Sequence, residues 1–370
     1  MTFEDWKTDF LKRALEDGIS PEILDQVSPF LKPNSNSSQA DIVQPETGKT
    51  LQQYVEMTVN EMRIIQGQAA LSKHAKTFDD IEFKYQVDRH IVAAIWGMET
   101  NYGSIRGDVP VLSALATLAF QGRRRSMFEA QLLSTFEIIN QGIKLPNQIL
   151  GSWAGAMGHT QFMPKSYIDF AVSANSGKSD IWADDPADAL TSTANFLIRH
   201  GWIPDTPWGQ VAYFSKNEDL ASLVKYPPQW IKDWESLGLL ATKSSILNYV
   251  AQLVLPGGIS SLRFLVSENF NALLRYNNAP AYAIAVGNLA DRLQGAPPLQ
   301  FPPGGDRRGL NQLEIQYLQN KLTKLGYDTI GADGFIGPNT KMAIEAFQIA
   351  NNMPVDGFAG LSLLKKIKLQ

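Results

Sequence analysis

The sequence predicts a mainly α-helical fold that is divided into a large domain and a small C-terminal module. Three observations lead to this prediction. Apolar residues recur at helical spacing in several long segments, few segments alternate apolar and polar residues, and a stretch rich in proline and glycine precedes the C-terminal part. Because 44% of the 370 residues are hydrophobic and 19% are charged, the chain can bury a sizeable core.

The helical periodicity extends over most of the N-terminal part of the chain. In the segment 51–76, for example, Leu51, Val55 and Val59 recur every four residues, as the buried face of a helix requires. The polar sequence KPNSNSSQADIVQPETGKT predicts a loop over 32–50. The predicted helical segments are 3–31, with a turn at Gly18–Pro21, and then 51–76, 88–99, 111–120, 126–141 and 187–200.

The segment GAPPLQFPPGGDRRG at 295–309 contains four prolines and four glycines, a composition typical of a linker. Beyond it, the motif DGFIGP at 333–338 is echoed by DGFAGL at 356–361, and each motif leads into a helical pattern. The sequence therefore predicts a large domain at 1–294, a linker at 295–309 and a compact three-helix module at 310–370.

Composition argues against several classes of function. The formal net charge of −4 lacks the basic field that a general nucleic-acid binder needs. The absence of cysteine excludes disulfides, thiolate metal sites and a cysteine nucleophile. The four histidines, at positions 74, 90, 159 and 200, have no metal-ligand spacing, so neither a metal nor a cofactor is expected.

The sequence carries no signal for membrane insertion. No apolar run reaches the roughly eighteen residues of a membrane span, so no transmembrane segment is expected. The start, MTFEDWKTDFLKR, has acidic residues where a signal peptide has a basic region and an apolar core. The chain is therefore expected to be cytoplasmic, or exported with a segment that this sequence lacks.

A single glutamate, Glu99, stands at the end of an almost wholly apolar helical segment in AIWGMETNYGSIRG, 94–107. Gly103 is the expected stop of this helix. Burial and the negative end of the helix dipole would both raise the pKa of the Glu99 carboxyl, and a carboxyl that stays protonated near neutral pH can act as a general acid. The alternative is an ordinary helix-end residue that faces water or pairs with an arginine.

The segment GSWAGAMGHTQFMPKSY at 151–167 combines small residues with aromatic and hydrogen-bonding ones. Small residues allow a ligand to approach the backbone, whereas Trp153, His159, Gln161 and Tyr167 provide the flat surfaces and polar groups that sugars need. This pattern indicates a carbohydrate cleft. The alternative is a glycine-rich packing loop with core aromatics.

Six separated motifs, in order and spacing, resemble those of the MltB-type lytic murein transglycosylases. They are IWGMETNYG, LATLAF followed by RRR, GSWAGAMGHTQFMPKSY, DIW, DALTSTANFLIRHGW and RYNNAPAYAIAVGNLADRL. The resemblance runs from about residue 3 to residue 294. The module at 310–370 resembles the common peptidoglycan-binding domain. The residues that match its pattern are Leu318, Gln319, Leu325, Gly326, Asp333, Gly334, Gly337, Thr340, Ala343, Phe347, Gln348, Asp356 and Gly357.

The resemblance implies a goose-lysozyme-like catalytic domain, with its core at about 80–200, in which Glu99 is the single catalytic acid. It also implies peptidoglycan as the binding partner, a monomer, a periplasmic location and possible contacts with cell-wall machinery proteins. For each binding residue the alternative is ordinary packing or helix capping. The residues that the resemblance assigns to substrate binding are Ser152, Met157, Gln161, Tyr276 and Tyr282.

The implied reaction cleaves the β-1,4 bond between N-acetylmuramic acid and N-acetylglucosamine and forms a 1,6-anhydro ring, with Glu99 as acid and then as base. Two alternatives remain at this point. One is a hydrolytic muramidase that uses water as the acceptor, and the other is a non-catalytic scaffold that binds the cell wall. An intact Glu99 weighs against the scaffold.

One segment departs from the family pattern. Relatives often carry an aspartate-rich, calcium-binding loop where this chain has SANSGKSDIW at 173–182. Ser173, Asn175 and Lys178 replace the expected acids, and a hard cation prefers several charged oxygen ligands. The sequence therefore predicts that the calcium site is lost.

Overall fold

The computed structural model describes residues 2–35, 37–38, 48–122, 124–215, 220–240, 249–303, 305–306 and 308–369. Positions 36 and 39–47 of the predicted loop at 32–50, and positions 304 and 307 of the predicted linker, lie outside the described residues. The chain divides into two compact units. The first is Met1–Gln44 with Glu61–His200, and the second is Pro45–Asn60 with Gly201–Gln370.

The first unit is built from helices and one short antiparallel ribbon. The ribbon pairs Val109–Pro110 with Leu150–Gly151. Two 3-10 turns lie at Ser28–Phe30 and Pro146–Gln148. Among the described residues of this unit, the α-helices with defined bounds are Phe3–Glu16, Pro21–Val27, Glu61–Lys73, Ala75–Tyr85, Arg89–Thr100, Val111–Gln121, Arg125–Asn140, Pro164–Phe170 and Ala187–Arg199.

The helix Arg89–Thr100 is buried along most of its length, which confirms the prediction from its apolar sequence. Every residue from Ile91 to Gly97 is buried. Asp88 caps the N-terminus of the helix, and its carboxylate accepts a hydrogen bond from the His90 backbone N–H at 2.7 Å. Because neighbouring helices surround this helix, it buries more than one face, and a hydrophobic stripe on a single face would not cover the buried surface.

The predicted helical segment 51–76 is in fact two helices, Leu51–Thr58 and Glu61–Lys73, and the first residues of a third, Ala75–Tyr85. The Thr58 hydroxyl donates to the Tyr54 carbonyl at 2.7 Å, and Val59 leaves the helical region with φ −105° and ψ 67°. The two compact units also separate between Asn60 and Glu61. The hydrophobic periodicity of the sequence therefore continues past Val59, although the helix ends there.

The second unit contains a four-stranded antiparallel sheet that the sequence did not predict. Its strands are only two to five residues long, too short for alternation to be evident. In spatial order the strands are Gly209–Val211, Phe264–Val266, Val250–Val254 and Gln229–Trp230. The helices of this unit are Leu51–Thr58, Leu220–Leu223, Ile231–Ser236, Glu268–Tyr276, Pro280–Leu293, Gln312–Lys324, Pro338–Ala350 and Leu361–Lys368.

The last three helices form the predicted three-helix module. The repeated motifs of the module, DGFIGP and DGFAGL, form the same turn twice. In the first copy, the Gln319 amide donates to the Asp333 carboxylate at 3.0 Å and its oxygen accepts from the Gly334 N–H at 2.9 Å. In the second copy, the Gln348 amide donates to the Asp356 carboxylate at 2.7 Å. Each buried glutamine therefore fixes one Asp-Gly turn.

The segment predicted as a linker makes specific contacts within the second unit. The Asp306 carboxylate accepts from the backbone N–H of Leu361 at 2.6 Å, and from the Ser362 N–H at 3.3 Å and its hydroxyl at 2.7 Å. It thereby caps the N-terminus of the last helix. The module also touches the preceding region, because the Asp356 carboxylate accepts from the Ile259 N–H at 2.9 Å. The boundaries 1–294, 295–309 and 310–370 stay predictions.

Among the residues that the structure describes, no helix is long and apolar enough to cross a membrane.

Replacing Asp306 by alanine should destabilise the module, because the last helix loses a remote N-terminal cap. The loss of such a cap typically costs about 0.5–2 kcal/mol. Thermal unfolding of the full chain measures the effect. Asp306→Asn is the matched control and should keep most of the stability, because asparagine caps nearly as well as aspartate. Equal stability of the wild type and Asp306→Ala would show that the cap contributes nothing.

Candidate active site

Glu99 lies half-buried in the last turn of the helix Arg89–Thr100. The chain then passes through three consecutive left-handed residues, Asn101, Tyr102 and Gly103, with φ values of 48°, 57° and 83°. The helix therefore stops at Asn101, two residues before the expected Gly103. Left-handed backbone at non-glycine residues is uncommon and is concentrated at functional sites.

The end of the Glu99 helix is joined directly to the GHTQF part of the 151–167 segment. The Thr100 hydroxyl donates to the His159 carbonyl at 2.6 Å, and the Trp96 indole N–H donates to His159 Nδ1 at 3.2 Å. The two rings pack edge to face with centroids 5.7 Å apart. The sequence-predicted acid and the sequence-predicted sugar-binding loop are therefore brought together by two buried hydrogen bonds.

His159 is held as a neutral ring. The Trp96 indole nitrogen can only donate, so His159 Nδ1 must accept. The proton then resides on Nε2, which donates to the Ala183 carbonyl at 2.8 Å. Burial lowers the pKa of the His159 imidazole, and the nearby Arg106 guanidinium lowers it further, although the bond to Ala183 opposes both effects.

Arg106 ties a third segment to this site. Its guanidinium donates to the Trp182 carbonyl at 2.9 Å and to the Ala183 carbonyl at 3.0 Å, and it pairs with the exposed Asp184 at 3.1 Å. The sequence analysis did not single out Arg106. Its position inside the Glu99 motif, as the one cation of AIWGMETNYGSIRG, was the available signal.

Gln161 is anchored through its amide nitrogen. This nitrogen donates to the Arg106 carbonyl and to the Gly158 carbonyl, both at 3.1 Å. The backbone of Gln161 is itself left-handed, with φ 55°. A half-buried amide held in this way keeps one orientation, and its oxygen is the acceptor that a sugar hydroxyl or acetamido N–H would use.

Ser152 is also oriented by backbone. Its hydroxyl oxygen accepts from the N–H groups of Ala154 at 3.3 Å and Ala156 at 3.1 Å, so the hydroxyl proton is directed elsewhere. Met157 has no exposed surface, and its N–H donates to the Phe162 carbonyl at 2.8 Å. A direct contact between Met157 and a substrate would therefore require this loop to move.

Two glycines of the same segment serve packing. A Cβ at Gly155 would lie 2.5 Å from a Leu115 methyl carbon, and one at Gly158 would lie 2.4 Å from the Ile181 carbonyl oxygen. The packing interpretation of these two small residues is therefore correct. It does not exclude the carbohydrate cleft, because Ser152 and Gln161 in the same segment are half-buried and not sealed inside.

Tyr276 and Tyr282 belong to the second unit, whereas Glu99 belongs to the first. Tyr276 is half-buried at the end of the helix Glu268–Tyr276. Tyr282 is only 3% exposed. The predicted role of these tyrosines in the Glu99 cleft stays a prediction.

The SANSGKSDIW loop is organised by protein groups. The Asp188 carboxylate accepts from the backbone N–H groups of Ala174 and Asp180, both at 2.7 Å. The Lys144 ammonium lies 2.8 Å from the Asp180 carboxylate, and the Lys178 ammonium bonds a backbone carbonyl at the end of the helix Arg125–Asn140. Within the described part of the chain, no group of three His, Cys, Asp or Glu residues could hold a metal ion.

Comparison with known families places the chain. Residues 2–291 match the transglycosylase SLT domain, and residues 311–367 match a peptidoglycan binding domain. The first match covers more than half of the chain, so the chain belongs to the SLT family of lytic transglycosylases. The mainly α-helical, lysozyme-like fold with a small C-terminal module is confirmed.

Individual relatives agree with this class. SltB3 from Pseudomonas aeruginosa, solved in complex with NAG-anhNAM-pentapeptide, is 37% identical, each chain covers 100% of the other, and the TM-score is 0.90. The membrane-bound lytic murein transglycosylase B of Escherichia coli (strain K12) is 32% identical over 220 residues, which are 55% of this chain. That alignment spans only 56% of the relative's length. Escherichia coli Slt35 in complex with calcium, at 24% identity and a TM-score of 0.65, shares the fold.

The stability of the protein should fall as the pH is lowered through the range just below about 6.5. His159 has a folded-state pKa below its ordinary value of 6.5, because its ring is buried. In this range the unfolded chain binds a proton that the folded chain does not, so lower pH favours unfolding. His74, which packs edge to face against Trp96, has a pKa lowered by burial as well.

Chemical unfolding between about pH 5 and pH 7 measures this dependence. His159→Gln should flatten it, and His74→Gln should remove a separate share. An unchanged pH slope in both variants would contradict the lowered pKa of these two rings.

Added calcium should leave the thermal midpoint unchanged. The Asp188 and Asp180 carboxylates already have partners, and a ligand that binds only the folded state must raise the midpoint by mass action. Scanning fluorimetry with calcium, with magnesium as the control cation and with a chelator measures this. A calcium-specific rise that the chelator reverses would show that other oxygen atoms complete the site.

Proposed function

We propose that this chain cleaves the β-1,4 bond between N-acetylmuramic acid and N-acetylglucosamine in peptidoglycan and closes a 1,6-anhydro ring on the muramic acid. The observation that carries the proposal is the placement of Glu99. The only acid of the METNYG motif lies half-buried at a helix end that is bonded to the loop bearing Gln161. Membership of the transglycosylase SLT family supports the same reaction.

In the first step, the protonated Glu99 carboxyl donates its proton to the glycosidic oxygen, and the bond between that oxygen and C1 of the muramic acid breaks. The acetamido group of the substrate stabilises the positive charge that develops at C1, as in substrate-assisted glycosidases. In the second step, the C6 hydroxyl attacks C1, and the ionised Glu99 takes the hydroxyl proton. Glu99 returns to its protonated form and no water is consumed.

A single carboxyl is sufficient because the acceptor belongs to the substrate. The C6 hydroxyl is held near C1 by the sugar ring, so little entropy is lost when it attacks. A water molecule would have to be bound and activated separately. The three left-handed residues from Asn101 to Gly103 and the loop from Gly158 to Gln161 supply a fixed backbone around Glu99, which favours one orientation of the sugar.

The other predicted residues have supporting roles in this proposal. Gln161 orients an N-acetylated sugar through its amide oxygen, and Ser152 donates its hydroxyl proton near the acid. Tyr276 and Tyr282 are proposed to contact the substrate as well. Met157 is buried, and its proposed role is to stabilise the loop by packing.

The C-terminal module is proposed to hold the enzyme on peptidoglycan, and the match of this module to a peptidoglycan binding domain supports that role. The enzyme is also proposed to act as a periplasmic monomer. A module that keeps glycan near the catalytic residues raises the local substrate concentration without any new catalytic group. Contacts with cell-wall machinery proteins are part of the same proposal.

Mass analysis of products from purified sacculi tests the proposal. The wild type should release disaccharide-peptides with 1,6-anhydromuramoyl ends, lighter by one water than lysozyme products from the same sacculi. Glu99→Gln should lose at least about 10²-fold in rate, because an amide can neither donate the acid proton nor accept it back. Circular dichroism checks that this variant keeps its fold.

Other products would point to a different function. Reducible muramic acid ends would favour the hydrolytic muramidase. The absence of any products from wild-type protein that still sediments with sacculi would favour the wall-binding scaffold.

A further inference from the structure

One face of the four-stranded sheet in the second unit is closed, and the opposite face is open only at Trp230, Val250 and Gln252, because Phe264 and Val266 on that face are buried. Along the strand Val250–Val254 burial alternates: Ala251 and Leu253 are each 1% exposed, whereas Val250 is 41% exposed. The buried set packs into a hydrophobic core with Trp234 and Leu265. The opposite face carries the other set of side chains, because neighbours along a strand point to opposite sides.

An exposed tryptophan stands on the open face. Trp230 pairs directly with Val250 in the edge strand, so the two side chains share a face. On the neighbouring strand pair, Gln252 lies opposite Val266 on the same face. Trp230 is 47% exposed, so its indole face is accessible to a ligand.

These residues form one side of a cavity of about 280 Å³. The other side is the start of the helix Glu268–Tyr276, where the Asn271 amide donates to the Glu268 carboxylate at 3.0 Å. Thr206 also lines the cavity. The volume is just below the roughly 300–1,000 Å³ of small-molecule sites, so the cavity suits a small ligand.

The chemistry of the lining selects the class of ligand. The described residues around the cavity include neither lysine nor arginine, so a phosphate or nucleic-acid ligand would have no counter-charge. The polar side chains of Gln252, Glu268 and Asn271 interrupt the apolar surface, so an apolar helix would cover polar groups without satisfying their remaining hydrogen-bonding capacity. A neutral sugar fits both parts, because its C–H face stacks on an indole and its hydroxyl and acetamido groups bond amides and carboxylates.

We propose that this cavity binds an N-acetylated sugar of the glycan strand, with Trp230 as the stacking platform and Gln252, Glu268 and Asn271 as the hydrogen-bonding partners. It is a second glycan site, formed by residues other than those of the Glu99 helix and the 151–161 loop. Its purpose is to hold a long polymer at more than one point. The identity of the sugar rests on the proposed function.

The test uses the full chain carrying Glu99→Gln, titrated with tetra-N-acetylchitotetraose and observed by NMR through the tryptophan indole signals. The chain has eight tryptophans, and Trp230→Phe identifies the signal of Trp230 by its loss. The Trp230 signal should shift in a saturable manner. The Trp153 and Trp182 signals report separately on the loops near Glu99.

Two variants and a matched control test the residues. Trp230→Ala and Gln252→Ala, observed through backbone signals of 250–252, should each weaken binding, by about tenfold or more for the tryptophan. Gln252 is exposed, so its replacement leaves the core intact. Tyr213→Ala removes a comparably exposed aromatic side chain, 48% exposed, that does not line the cavity, and it should bind as the parent does.

Two results would overturn the proposal. One is a Trp230 signal that stays unmoved at millimolar sugar while Trp153 or Trp182 shifts. The other is unchanged affinity of the 250–252 signals in both Trp230→Ala and Gln252→Ala. Because the titration needs no turnover, a Trp230 shift in a protein whose wild type releases no anhydro products would refute the proposed reaction and leave the sugar site standing.

Discussion

The buried junction between Trp96, Thr100 and His159 is the constraint on which the candidate active site depends. The helix that carries Glu99 is apolar on all sides, so packing alone would fix its place in the core and not the direction of its last turn. The hydrogen bonds from Trp96 and Thr100 to His159 fix that direction against the GHTQF loop. A histidine that must stay neutral to accept from Trp96 makes the junction sensitive to acid, because a protonated ring could not accept.

Arg106 connects this junction to a third segment of the chain, which contains Trp182 and Ala183. Its guanidinium holds the backbone carbonyls of Trp182 and Ala183, and its own carbonyl accepts from Gln161. Charged hydrogen bonds to backbone are stronger than neutral ones, so Arg106 holds loops that have little regular structure. In the proposed reaction, the Glu99 carboxyl first donates a proton to the glycosidic oxygen and then accepts one from the C6 hydroxyl. Rigid loops favour such a reaction, because both oxygens must lie within reach of the same carboxyl.

In the second unit, carboxylates also hold segments together through hydrogen bonds to backbone groups. Asp306 reaches from a proline- and glycine-rich segment to cap the last helix, and Asp356 bonds both its own turn and the Ile259 N–H. The module is thereby fixed to the region before it, in contrast to the free tether that the composition of the 295–309 segment suggests. The open sheet face with Trp230 lies in this same unit, so wall-binding module and proposed sugar site share one compact body.

The sequence by itself determined the helical class, the buried helix before Glu99, the duplicated Asp-Gly turns and the family, because these depend on local periodicity and on motifs that lie close together in the chain. It could not reveal the break at Val59, since hydrophobic spacing continues across it, nor the sheet, whose strands are too short to show alternation. The roles of Arg106, His159 and Asp306 were decided only by the tertiary structure. Each acts through hydrogen bonds to groups more than fifty residues away, and no local pattern records which distant carbonyl or N–H a side chain will meet.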